Sequence, residues 1–287
     1  MSAAFSIVVP TWQRPGALGR MLESLVQLEV PPGGFEVVVV DDGSEVAYDE
    51  VIAAFADRLQ LTMIRVAHCG PAGARQAGID RASGRWLAFT DDDCLPARDW
   101  LAAFARAFER EPDCGFGGRV VNPLTRNYFA EASQQIVSFL CAGGAEGFPR
   151  FFTTNNLAFP RESLQEIGGI DRHWSIFGGE DRDLCARWSK HHPLRYLPEA
   201  VVLHEHALTF RTFVRQQFQY GRGAWRFRRQ RNGEPALALA PLHTYGRLLL
   251  SGWTRERAVP ARIAVTWLIV LAHVANAAGF AFEAFRG

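Results

Sequence analysis

Residues 70–93 read GPAGARQAGIDRASGRWLAFTDDD, and the last eight of them decide the fold class. The apolar run Trp86 to Phe89 is short and strand-like, and Asp91, Asp92 and Asp93 follow it almost at once. Three adjacent carboxylates repel one another, and on an ordinary surface loop such a triplet is simply solvated. At the carboxyl end of a parallel strand it has another use, because open α/β sheets bind ligands there. Hard oxygen donors in that position suit Mg²⁺ or Mn²⁺, which typically bind one or two carboxylates plus substrate phosphates.

N-terminal to this stretch the chain alternates β-rich runs with amphipathic ones, the pattern of βαβ units and a largely parallel sheet. Phe5 to Val9, Phe35 to Val40 and Leu61 to Val66 are short and apolar, as strands buried on both faces are. Leu18, Leu22, Leu25 and Leu28 fall on one helical face, as do Val51, Phe55 and Leu59. Pro31-Pro32 and Gly33-Gly34 are expected to end the first helix. The second strand runs into Asp41-Asp42-Gly43-Ser44, so a second acidic pair arrives at the sheet edge that carries the triplet. An Asp-Gly pair also makes an ordinary turn, with Asp42 and Ser44 as caps. The first strand ends in Pro10-Thr11-Trp12, followed by Gln13-Arg14-Pro15.

C-terminal to the triplet a helix led by Pro96 is expected, with Leu101, Phe104 and Phe108 on one side, and then a strand from Phe116 to Val121. Residues 122–151 mix a helical pattern with Gly143-Gly144 and read as a lid or subdomain. From Asn155 to His206 the order is strand, short helix, loop, helix, strand. Within it, FGGEDRDL at 177–184 puts two glycines and a cluster of carboxylates at a helix start. Acidic residues there also complement the helix dipole for purely structural reasons. Val201 to Leu203 leads into His204-Glu205-His206, and neutral imidazole suits Mn²⁺ better than Mg²⁺.

Taken together, Pro10-Thr11-Trp12, VVVVDDGS at 37–44, the 70–93 stretch and FGGED resemble the glycosyltransferase family 2 pattern over roughly Phe5 to His206. The resemblance implies the GT-A fold, a Rossmann-like, mostly parallel α/β sheet with flanking helices. A catalytic domain would occupy 1–208, with a nucleotide-sugar half to about 121 and an acceptor half beyond it. A helical extension would follow at 209–287. It further implies that Pro10, Thr11, Trp12, Arg14, Asp42, Arg75, Asp91 and Asp92 line the donor site, with Trp12 and Asp42 against the base. Asp91 and Asp93 would be its D-x-D pair. Asp93 would be the direct metal ligand, His204 the histidine completing the metal site with His206 close behind, and Asp181 the general base. Asn156, Trp174 and Glu180 would face the acceptor. Gln76 stands where the family often has Asn and Trp12 where it often has Tyr, which leaves the base open. The expected reaction moves a sugar from a nucleoside-diphosphate sugar, a UDP-sugar first, to an acceptor hydroxyl on a glycan or lipid-linked molecule. One carboxylate base and no evident nucleophile imply inversion, by analogy with glycosidase geometry.

The bulk numbers fit this reading. The 287 residues can bury a full core, and a net charge of +1 with 48% hydrophobic and 21% charged residues excludes a disordered chain and a general nucleic-acid binder. Five scattered cysteines without paired spacing read as reduced cytoplasmic thiols, and no export signal precedes Phe5. Any basic surface is local: seven arginines and no acidic residue lie between His206 and Gly233. Ile263 to Phe282 then runs uncharged for about the length of a bilayer span, although His273, Asn276 and Gly279 leave spanning, interfacial and buried placements open. The expected location is the cytoplasm, at the inner face of the cell membrane. The rival readings are a metal-dependent nucleotidyltransferase, which would normally show a Gly-rich loop where Pro10 to Pro15 stand, and a noncatalytic nucleotide-binding protein at the membrane.

Overall fold

The computed structural model describes residues 3–143, 151–174, 178–230, 242–251, 253 and 258–286. Phe177, Gly144 and Arg231, which figured in the motif, subdomain and arginine readings, lie outside them. In chain order the elements are β1 (Phe5–Thr11), α1 (Pro15–Val26), β2 (Phe35–Asp41), α2 (Asp49–Ala53), β3 (Leu61–Arg65), α3 (Gly70–Arg81), β4 (Trp86–Phe89), β5 (Cys94–Pro96) and α4 (Trp100–Arg110). After these come β6 (Gly115–Val121), α5 (Tyr128–Cys141), β7 (Leu157–Pro160), α6 (Arg161–Glu166), α7 (Glu180–Trp188), β8 (Leu194–His204), α8 (Phe210–Gln230), α9 (Leu242–Ser251) and α10 (Val259–Arg286).

The chain divides into two compact units. The first comprises Met1–Val121, Phe152–Ser175 and Leu184–His204. It is built on an eight-stranded sheet of order β3-β2-β1-β4-β7-β6-β8-β5. The first four strands are mutually parallel, β7 is antiparallel to β4 and β6, and β6 and β8 run parallel. Val37 to Val40 and Ile7 to Val9 are fully buried because layers cover both faces of β1 and β2. On one face Leu18, Met21, Leu22 and Leu25 of α1 pack with Trp100, Phe104 and Phe108 of α4. On the other, Val38 and Val40 meet Ala74 of α3. Gly78 permits that approach: a Cβ there would collide with Val8.

Several boundaries differ from expectation for local reasons. β3 is only half-buried because it is a sheet edge, with β2 as its one neighbour. α1 stops at Val26, before the prolines, while Leu28 stays buried beyond the helix end. α2 is a single turn, so Phe55 and Leu59 reach the core from turns rather than from a helix. Pro96 does not lead α4. It closes β5, whose three residues pair with Val202 to His204 of β8.

The second unit comprises Asn122–Phe151, Ile176–Asp183 and Glu205–Gly287. In it Phe129, Ile136 and Phe139 of α5 pack with Phe213, Val265, Ile269 and Ala272, drawing α5 to the C-terminal helices. α8 and α10 run side by side, and Gly221 and Gly279 let them approach until a Cβ on either would strike the facing backbone.

Candidate active site

The site is assembled where the parallel strands end. Register sets Thr11 of β1 opposite Asp41 of β2, and the Asp42 N–H donates to the Thr11 carbonyl at 3.0 Å. β4 ends beside them, delivering Asp91, Asp92 and Asp93 to the same edge. The antiparallel pairing of β5 with β8 sets His204 opposite Cys94, one residue beyond the triplet. Sheet register, rather than sequence proximity, thus brings His204 Nε2 to 3.5 Å from Asp93 Oδ1.

Each carboxylate of the triplet has a different environment. Asp91, partly exposed, accepts from Arg75 Nη2 at 2.6 Å. Asp92 is fully buried and takes the Thr11 hydroxyl at 2.7 Å and the Arg14 guanidinium at 2.6 Å. Burial pushes its pKa up to about 7, against the pull of Arg14 and Thr11 and with the help of its two acidic neighbours. Burial also opposes ionisation of Asp93, but His204, then Arg14, outweigh it and hold this carboxyl well below the ordinary range. The Cys94 thiol completes a cluster with Asp93 and His204, all three donor atoms lying within 4.8 Å of one another. Burial and the nearby carboxylates raise its pKa well above 9.0. Soft sulfur suits neither Mn²⁺ nor Mg²⁺, whereas the carboxylate oxygen and imidazole nitrogen are a set that fits such an ion with room for phosphate oxygens.

Around this corner the donor-side residues divide. Trp12 is 49% exposed and its ring stacks on His68 at 5.0 Å, an open aromatic face at the strand edge. Arg14 bridges Asp92 and Asp93. Asp42 is committed differently: its two oxygens accept from the N–H groups of Cys69 and Gly70, at 2.7 and 3.0 Å. That is the capping role, at the start of α3. Asp41 likewise closes a turn by accepting the Ser44 N–H at 2.9 Å.

On the expected acceptor side, Asn156 is buried. Its Oδ1 accepts the Trp100 indole N–H at 2.8 Å and its Nδ2 donates to Arg119 O and Ala200 O at 3.0 and 2.9 Å. Those carbonyls flank the irregularity at Gly118/Arg119 between β6 and β8. The amide mends the ladder there, and its hydrogen-bonding groups are spent inside the core. Trp174 is buried, and its indole N–H finds no partner among the described residues. In the second unit, Glu180 and Asp181 open α7. Glu180 Oε2 accepts the Gly178 and Gly179 N–H groups at 2.9 and 3.0 Å, fixing the glycine turn.

Sequence reasoning missed three contributors. Tyr48 OH lies 3.1 Å from Thr11 Oγ1 and accepts the Arg14 N–H at 3.1 Å. Gln13 adopts a left-handed conformation, φ 58°, uncommon without glycine, and its N–H is held by Ser44 Oγ at 2.8 Å. His68 supplies the stack under Trp12. None belongs to a spaced pattern, so no local signal marks them.

Comparison with known proteins agrees with this geometry. Residues 6–169 match the family described as Glycosyl transferase family 2, and residues 143–198 that described as N-terminal domain of galactosyltransferase. The chain is similar to the pre-mycofactocin glycosyltransferase of Mycobacterium tuberculosis, 27% identical over 76% of this chain and 46% of that protein. It is also similar to glycosyltransferase AglE of Haloferax volcanii, 25% identical over 76% and 72%. This chain therefore spans about half the length of the first of these relatives. Among solved structures, the mannosyltransferase PcManGT of Pyrobaculum calidifontis, in complex with GDP-Man and Mn²⁺, superposes with a TM-score of 0.62 at 22% identity, covering 100% of this chain and 76% of that one. TarS 1-349 of S. aureus in complex with UDP-GlcNAc gives 0.56 at 16% identity, covering 100% and 92%. The chain belongs to glycosyl transferase family 2 and has its GT-A fold.

Proposed function

We propose that this chain is an inverting, metal-dependent glycosyltransferase that moves a sugar from a nucleoside-diphosphate sugar to an acceptor hydroxyl. The observation that carries the reading is the Asp93–His204 corner at the carboxyl ends of the strands, beside the Arg75–Asp91 and Arg14–Asp92 pairs. Asp93 and His204 would hold Mn²⁺ or Mg²⁺. When bound, the ion supplies Lewis-acid stabilisation of the diphosphate leaving group.

The chain's own groups account for the rest. Trp12, propped by His68, offers its face to the base. Asp42 supports that wall indirectly, by fixing the start of α3. Arg14 and Arg75 bring cationic donors to the diphosphate end. Asp181 takes the acceptor proton as its oxygen attacks the anomeric carbon, and the Trp174 indole is an available donor for an acceptor oxygen. One solved neighbour holds GDP-Man, another UDP-GlcNAc, and one relative is named a glucosyl-dolichyl phosphate glucuronosyltransferase, which supports a UDP-sugar as the first donor to test and a glycan or lipid-linked hydroxyl as the acceptor class.

We further read α10 as lying at a membrane surface. It is the one described helix long and apolar enough to cross a bilayer, and only 28% of its apolar window is buried. Because its other face is packed on α8 and α5, an interfacial placement at the inner leaflet fits better than a span. The experiment for the enzymatic reading is a panel of UDP- and GDP-sugars assayed for nucleoside diphosphate release with and without Mn²⁺. Metal-stimulated release from one donor is expected, and no release from any would remove the reading.

A further inference from the structure

The exposed residues of α10 form an unbroken apolar stripe: Val259, Ile263, Trp267, Val270, Val274, Ala278, Ala281 and Phe285 recur at spacings of three and four. Trp267 and Phe285 are 69% and 92% exposed. Such a face is expected to be covered. What covers it is indicated at the helix's C-terminal end, where the neighbouring helix contributes charge.

There, Arg222, Trp225, Arg226 and Arg229 of α8 and Glu283 and Arg286 of α10 line a pocket of about 410 Å³. Glu283 is buried and grips the Nε of Arg222 and of Arg226, each at 2.6 Å. Arg222 is braced further by Gln219 Oε1 at 3.1 Å. The carboxylate thus acts as a bracket, taking one edge of two guanidinia and leaving the Nη atoms of Arg226 available. Arg229 and Arg286, both exposed, have no carboxylate partner among the described residues. Four guanidinia against one carboxylate is more cation than the packing of two helices needs. Arranged forks of this kind match phosphate oxygens.

The same pocket is flanked by apolar surface. The Arg286 guanidinium lies 4.9 Å from the Phe282 ring, and Phe282 and Phe285 are both exposed. A cationic pocket edged by exposed aromatic rings, at the end of an apolar stripe, has the chemistry of a lipid–water boundary. We infer that the Arg222–Arg226–Arg229–Arg286 pocket binds the phosphate of an anionic phospholipid headgroup, with Phe282 and Phe285 against the lipid's acyl region. This rests on the membrane-surface reading of α10 and names the ligand that orients it there.

The test compares the full chain with two doubly substituted variants of equal charge loss, Arg229→Ala/Arg286→Ala at the pocket and Arg211→Ala/Arg215→Ala at the exposed start of α8. Binding is measured to vesicles of phosphatidylcholine alone and of phosphatidylcholine mixed with phosphatidylglycerol, and thermal melting verifies that all three proteins fold. A surface arginine near an anionic leaflet changes affinity on the order of fivefold. The pocket variant is expected to lose about tenfold or more on mixed vesicles, clearly more than the control variant, with neutral vesicles unaffected. Equal losses would mean that net charge alone attracts the protein, and an unchanged pocket variant beside a binding wild type would overturn the pocket while sparing the membrane reading. Failure of the wild type on both vesicles would overturn the membrane reading itself. Titration of inorganic phosphate without vesicles separates the source: saturable binding lost in the pocket variant, with vesicle binding intact, would give the site to soluble phosphate and overturn the lipid assignment.

Discussion

Glu36 shows how one side chain can hold two elements together away from the site. It is buried at the start of β2, and its Oε1 accepts from Ser6 Oγ at 2.6 Å and from Ser83 N and Oγ at 2.7 and 2.9 Å. Burial opposes its ionised form, but these donors win and lower its pKa below the usual 4.5. A depressed carboxylate contributes stability that is full above its unfolded pKa and is lost as pH falls through the folded value. Glu36→Gln is therefore expected to cost about 1–3 kcal/mol at neutral pH, the scale of hydrogen bonds to a charged group. Urea unfolding of both proteins checks this, and the difference should shrink as pH drops below 4.5. For Asp181→Asn, donor binding should survive while transfer falls at least about a hundredfold, the usual worth of a general base; single-turnover assays read both. The placement of Asp91, Asp93 and His204 at strand ends was legible because such ends announce themselves as an apolar run followed by polar groups. The core bonding of Asn156 was not legible, because a buried amide in an irregular ladder and an amide facing substrate look alike in sequence. His68 and Tyr48 were invisible, since each reaches the site across the fold.

Elements were legible where the burial pattern is strong. The valine run of β2 and the leucines of α1 have only one way to be buried, so their type followed from composition. Ends were less so: Pro96 is a reasonable helix opener, yet β8 offers three residues of ladder to Cys94–Pro96, and tertiary pairing took precedence. The close pairing of α8 with α10 could not be read from sequence, because a single glycine within a helical pattern does not name the backbone it will face. In the fold Gly221 and Gly279 mark the contact. A Cβ at Gly279 would strike the Phe218 carbonyl, a backbone atom unable to step aside. Gly279→Leu gains about 1 kcal/mol in helix propensity, but forcing the helices apart costs more, roughly 1–3 kcal/mol for modest overpacking and beyond that for a branched side chain. A lower melting temperature with the α8–α10 contact loosened, read by hydrogen exchange in residues 265–283, is the expected outcome.

At the scale of the whole molecule, a formal charge of +1 conceals strong segregation. Carboxylates gather at the carboxyl ends of the strands, where cations and phosphates are to be managed, and arginines gather on α8. Composition reported the sum and lost the pattern, while the order of motifs retained it. Sequence order conceals a further pattern: α5 is sequentially in the middle but buries its aromatic face with α8 and α10. The central claim is that the Asp93–His204 corner holds a metal that in turn holds a nucleoside diphosphate. Calorimetric titration of the wild type and Asp93→Ala with UDP and GDP, each with Mn²⁺ and with a chelator, tests it most directly. One nucleotide should bind the wild type only when Mn²⁺ is present, and Asp93→Ala should lose that binding while melting as a folded protein. Equal affinity with Mn²⁺ and with chelator, or undiminished metal-dependent binding in Asp93→Ala, would contradict the account.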